Sequence, residues 1–160
     1  MPSGTRLAND AWEALLSAHA RLMKQFAAED VWQDLSMREY DVLYTLSKCR
    51  EPLRIGELHR HVLLSQPALS RMVDRLAERG FVERRADRAD GRGVRLSLTD
   101  AGRDKQREIG RRHARSVARA LTAELGPDEL RQLTTISWKL ARRPAATGAS
   151  RNENEETSSP

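Results

Sequence analysis

A single cysteine, Cys49, stands in a chain of 160 residues, so no internal disulfide can form and a reducing, cytoplasmic compartment is expected. No apolar run approaches the roughly 18 residues of a membrane span, and 32% of the residues are charged, so no membrane partner is expected. Met1-Pro2-Ser3-Gly4 lacks the basic-then-apolar order of a secretory signal. There is no Gly-rich phosphate loop, no Ser, His and Asp order and no paired acid cluster, so an enzyme is not expected. Metal chemistry is equally poorly served. His59 and His61, two residues apart, would point to different sides of a helix, and His19 and His113 lie elsewhere in a sequence with no second cysteine. No cofactor is therefore expected, and no internal repeat is present.

What the chain does have is positive charge, unevenly spread. The formal net charge is +5, but residues 144–160 carry one arginine (Arg151) against Glu153, Glu155 and Glu156, so the first 143 residues hold 27 basic and 20 acidic side chains, a net +7. A basic body favours a polyanionic partner, chiefly through association rate and non-specific binding.

Apolar periodicity divides the rest. Trp12, Leu15, Leu16, Leu22, Met23 and Phe26, with His19, recur at three-and-four spacing, which predicts a long amphipathic helix. Ser36 followed by Glu39 forms a capping box that opens a second helix, with Tyr40, Leu43, Tyr44 and Leu46 expected inward and Glu51-Pro52 stopping it. A third helix is expected over Arg54–His61, without a good N-cap. Ser65 is an N-cap candidate for a fourth, with Gln66-Pro67 in its first turn and Gly80 at its left-handed C-terminal position. Its inward stripe is Leu69, Met72, Val73 and Leu76; Gln66, Ala68, Ser70, Arg71, Asp74 and Arg75 face out. A strand pair follows, residues 81–85 and 94–99, the second with Val94, Leu96 and Leu98 alternating with Arg95 and Ser97. Thr99-Asp100 opens a long polar helix to about Leu125, and Gly126-Pro127 restarts a last one with Leu130, Leu133, Ile136, Trp138 and Leu140 as its expected buried set. Residues 144–160 show no periodicity and are expected to be disordered.

The order of helices, the run Leu69-Ser70-Arg71-Met72-Val73-Asp74-Arg75-Leu76, the turn Gly80-Phe81-Val82-Glu83-Arg84, the loop Asp87-Arg88-Ala89-Asp90-Gly91-Arg92 and the exit Leu96-Ser97-Leu98-Thr99-Asp100-Ala101-Gly102 together resemble the MarR family of bacterial winged helix-turn-helix repressors. The resemblance covers roughly residues 10–141. It implies a mainly α fold with a small antiparallel β wing. The expected layout is a flexible N-terminus over 1–8, dimerisation helices over 9–33 and 100–141, a DNA-binding winged helix-turn-helix over 36–99 and an acidic tail over 144–160. Trp12, Leu16, Leu133 and Trp138 give more apolar surface than a small head can cover, which favours a two-fold homodimer.

The resemblance further implies a recognition helix in the major groove of double-stranded DNA and a wing arginine in the minor groove. Ser65, Gln66, Ser70, Arg71 and Arg75 belong to the recognition helix; Arg71 can pair with a guanine edge and Gln66 with adenine. Arg92 is the wing-tip candidate, oriented by Asp90, and a narrow A·T-rich groove attracts such a side chain. Arg84, Arg85, Arg88 and Arg95 are read as phosphate contacts. Relatives release a palindromic operator when a small aromatic or phenolic molecule binds. The matching walls here are Trp12, Leu16, His19, Met37, Tyr40 and Tyr44, and no inward arginine matches the one that grips a carboxylate. Core packing at helical spacing is the alternative for each of these six. Two other functions stay open: a constitutive or architectural DNA-binding protein without effector, and a redox sensor using Cys49, whose neighbours Lys48 and Arg50 could lower its pKa.

Overall fold

The computed structural model describes residues 4–87 and 93–141. Two compact units divide at Ala120 and Leu121. The first contains helix α1 (Gly4–Ala27), a 3-10 turn (Asp30–Trp32), α2 (Met37–Lys48), strand β1 (Leu53–Arg54), α3 (Ile55–His59), α4 (Gln66–Glu78), strands β2 (Val82–Ala86) and β3 (Val94–Leu98), and most of α5 (Asp100–Thr122); α6 (Pro127–Ala141) lies in the second.

The expected strand pair is a three-stranded antiparallel sheet in the order β1-β3-β2, with Leu53 opposite Leu96 and Val82 opposite Leu98. The added strand has two residues, too few to show a period of two in sequence. Around the sheet, Val42, Leu43, Leu58, Leu69, Val73, Leu76, Leu96 and Ile109 are wholly or almost wholly buried and form the core. Burying an aliphatic side chain of this kind contributes about 1.5–3 kcal/mol, so this cluster dominates the stability of the head.

Helix ends explain how α4 is presented. The Ser36–Glu39 box is formed: the Glu39 amide donates to Ser36 Oγ at 3.2 Å and the Ser36 amide to Glu39 Oε2 at 2.8 Å. At the other end of α4, Gly80 adopts φ +75°, its amide donates to Ala77 O and the Phe81 amide to Leu76 O, both at 2.9 Å, which is the paired closure of a Schellman turn. That turn sends the chain into β2. Thr99 accepts the Gly102 amide at 2.9 Å and donates to Gly80 O at 2.6 Å, tying the start of α5 to the end of α4. A Cβ on Gly102 would lie 2.0 Å from Phe81 O, so only glycine fits there. The Leu-Thr-Asp-Ala-Gly exit is thus a splice between two helices.

Several sequence expectations need correction. Helix α1 begins at Gly4, so residues 4–8 are its first turns; residues 1–3 lie outside the described residues. The third helix spans only Ile55–His59; as expected, Arg54 at its N-cap makes no side-chain capping bond, and the Arg54 amide donates to Glu57 Oε2 at 2.7 Å. Ser65 stands at the N-cap of α4, but its hydroxyl makes no capping bond. Tyr44 is 43% exposed because its position on α2 faces a cleft rather than the core, and Val94 is exposed at the open end of β3. Trp32, absent from the expected core, is buried and donates from Nε1 to Phe26 O at 2.7 Å.

Candidate nucleic-acid interface

The exposed face of α4 divides by charge pairing. Toward its C-terminal end, Arg79 meets Asp34 Oδ2 at 2.5 Å, and Lys105 reaches the other oxygen of the same carboxylate at 2.5 Å. The hydrogen bond from Lys105, with help from Arg79, holds the Asp34 carboxyl below its usual range. These contacts join α4 to α5 through the turn before α2. Arg75 lies 3.8 Å from Glu39 Oε1, and Asp74 is paired with Arg84 of β2. Toward the N-terminal end the picture changes. Gln66 and Arg71 are exposed and Ser70 is half-buried, and Arg71 makes no ion pair among the described residues. The N-terminal half of α4 is therefore the half whose cation is uncommitted.

The base of the wing is fastened by a residue that sequence reasoning passed over. Asp87 is only 4% exposed, and its Oδ2 accepts Arg54 Nε at 2.9 Å and Nη2 at 2.7 Å and pairs with Arg95 Nε at 3.1 Å. Arg95 also donates to Pro52 O at 3.0 Å. One carboxylate thus gathers arginines from β1 and β3 where β2 ends. A buried carboxylate needs such partners to offset its desolvation. Arg95, expected on phosphate, is committed to this clamp, and Arg84 to Asp74. Arg88, Asp90 and Arg92 lie outside the described residues. The alternation of residues 94–98 could have pointed to Arg95 but not to Asp87, whose partner Arg54 is 33 positions away.

Two cavities flank α2. One, about 650 Å³, lies between α2 and α5, with Tyr40, Asp41, Tyr44, Gln106 and His113 in its wall. The other, about 700 Å³, lies between α1, α2 and the segment after α3, and includes His19, Met37, Asp41, Tyr44 and His113. Of the six expected ligand residues, His19, Met37, Tyr40 and Tyr44 border one cavity or the other; Trp12 and Leu16 are exposed on α1 and border neither. Asp41 and His113 were missed. His113 packs against the rings of Phe26, Trp32 and Tyr40 at centroid distances of 5.2, 4.8 and 5.8 Å, and burial holds its pKa below the usual 6.5.

The sequence profile of the MarR family matches residues 35–94. The multiple antibiotic resistance protein MarR of Escherichia coli is 30% identical over 107 residues, covering 67% of this chain and 74% of that protein. This chain belongs to the MarR family. It is a DNA-binding transcriptional regulator of that family rather than an enzyme. The HTH-type transcriptional regulator YkoM of Bacillus subtilis is 33% identical over 99 residues; the match spans 62% of this chain and 61% of that relative. Among solved structures, the MarR-family regulators AbsC and Sco3205 of Streptomyces coelicolor, the latter in complex with DNA, each superpose with a TM-score of 0.71 at 26% identity. They cover 83% of this chain, and the match takes in 90% and 84% of their own chains. In this MarR-family chain no described helix is long and apolar enough to cross a membrane.

Proposed function

We propose that this protein is a dimeric, sequence-specific repressor that works in the cytoplasm and leaves a palindromic operator when a small aromatic molecule binds. The observation that carries the reading is the asymmetry of α4: Arg79, Arg75 and Asp74 are engaged near its C-terminal end, whereas Gln66 and Arg71 are exposed near its N-terminal end. A helix so arranged is held by one end and can offer the other to base edges, with Arg71 on guanine and Gln66 on adenine. Ser65 and Ser70 would add phosphate or base-edge hydrogen bonds. On the strength of the family motif, Arg92 is assigned to the minor groove, Asp90 to orienting it and Arg88 to a phosphate. The clamp around Asp87 supports the assignment by anchoring the strand that leads into the loop.

Dimerisation is favoured by two unpartnered apolar faces. On α1, Leu7, Trp12, Leu15 and Leu16 are exposed, and on α6 so are Leu133, Ile136, Trp138 and Leu140. A second copy is the proposed cover, and two-fold symmetry then asks for half-sites about one helical turn apart. Effector response rests on the two cavities beside α2. DNase footprinting on the protein's own upstream DNA tests the reading, with wild type beside Arg92→Ala. A protected palindrome that fades in the variant and on adding an aromatic effector is expected. Uniform protection indifferent to Arg92 would replace the reading with that of an architectural DNA-binding protein.

A further inference from the structure

The cavities beside α2 share three residues, Asp41, Tyr44 and His113, so Asp41 stands where the two spaces meet. Its side chain is half-buried and makes no ion pair or side-chain hydrogen bond among the described residues. Two other well-covered acids are served, Glu39 by Ser36 and Asp87 by Arg54 and Arg95; Glu29, whose Oε2 is buried without a hydrogen-bond partner among the described residues, lines neither cavity. Around Asp41 the surfaces are aromatic. Tyr40 and Tyr44 stack at 6.0 Å between centroids, His113 sits against Tyr40, and Tyr44 already carries the Lys48 ammonium 4.7 Å from its ring centre. Arginines do border the cavities, but Arg38, Arg107 and Arg111 are exposed at the rims, and Arg107 is paired with Asp104. Burial alone pushes the Asp41 carboxyl above its ordinary range, with no cation near enough to bring it back. The electrostatic need at the centre is therefore a positive one.

We propose that this space binds a planar aromatic cation, its charged N–H edge on the Asp41 carboxylate and its ring beside Tyr44, the exposed aromatic that borders both cavities. The ligand's cation restores what Asp41 loses on burial, and π faces attract a cation directly. An anionic aromatic would have to bring a second negative charge to a carboxylate with no counter-ion. The proposal rests on the ligand-release reading above, to which it gives a chemical class.

Benzamidine and benzoate, nearly identical in shape and opposite in charge, separate the alternatives. Calorimetric binding to the full-length chain is measured at pH 8, where His113, which borders both cavities and whose pKa is held down by burial, is neutral. Benzamidine is expected to bind at least tenfold more tightly than benzoate. Asp41→Asn is expected to remove at least tenfold of the benzamidine affinity while melting at or above the wild-type temperature, since it discards a desolvated charge. Asp128→Asn, an exposed acid on α6, should change nothing and so exclude general attraction of cations. Benzoate binding as tightly as benzamidine, an undiminished affinity in Asp41→Asn, or no benzamidine binding at millimolar concentration would each overturn the proposal. Operator release is read separately by anisotropy. Benzamidine bound through Asp41 without release upholds the site and removes the release reading; release by benzoate alone does the reverse.

Discussion

At the scale of single residues, what the chain can tolerate is set by close approach and burial. Gly102 abuts the Phe81 carbonyl, and no side chain can yield because the obstacle is backbone. Gly102→Ala is expected to destabilise the fold by on the order of 3 kcal/mol, the upper part of the range for overpacking, as measured by denaturant unfolding. His113 gives a pH test. Its folded pKa lies below the unfolded value of about 6.5, so the unfolded chain binds the proton more readily, and stability present above that value is lost as the pH falls through it. Melting temperature should drop between pH 8 and pH 5, and less so in His113→Phe, which keeps the ring contacts without the titrating nitrogen. An equal drop in the variant would assign the effect to other groups. Both residues were in plain view in the sequence, yet only Gly102 was legible, because it belongs to a local motif. His113 owes its setting to Phe26, Trp32 and Tyr40, contacts between positions more than seventy apart.

At the scale of elements, sequence reading succeeded where a signal is local and periodic. The α4 stripe of Leu69, Met72, Val73 and Leu76 is buried as its spacing demands, and the Ser36 box and Gly80 turn both form. Gly80→Ala would force a side chain into the left-handed region at a cost of about 1–2 kcal/mol, and chemical denaturation of the purified variant checks this. Reading failed where pairing is non-local. The strand Leu53–Arg54 exists only because β3 lies beside it, and Asp87 acquires its role only when Arg54 and Arg95 converge on it. Asp87→Ala leaves those guanidiniums without their shared acceptor. Because both arginines are partly exposed, water will cover some of the loss, and about 1–3 kcal/mol of stability should go. Operator affinity should fall as well, since the strands that frame the wing are no longer pinned. An Asp87→Ala protein with unaltered affinity would mean that the clamp serves folding alone.

For the whole molecule, the apolar faces of α1 and α6 are the feature that a single chain leaves unexplained. Trp12 is 57% exposed and Trp138 is 64% exposed, which is costly for residues of this size unless a partner covers them. A Leu16→Glu and Leu133→Glu double variant is expected to run as a monomer in analytical ultracentrifugation and to lose tight operator binding, because a lone head meets one half-site. The basic surplus of residues 1–143 will set association rate and salt dependence, whereas α4 is asked to supply the choice of sequence. That choice is the centre of the account. The most direct measurement is fluorescence anisotropy on DNA from the protein's own upstream region, against a scrambled duplex at about 0.15 M salt, with wild type and Arg71→Ala side by side. Wild type should prefer the upstream DNA by about a thousandfold or more, and Arg71→Ala should lose about 1–3 kcal/mol of that preference while keeping its non-specific affinity. Equal binding of wild type to both duplexes, unmoved by the substitution, would contradict it.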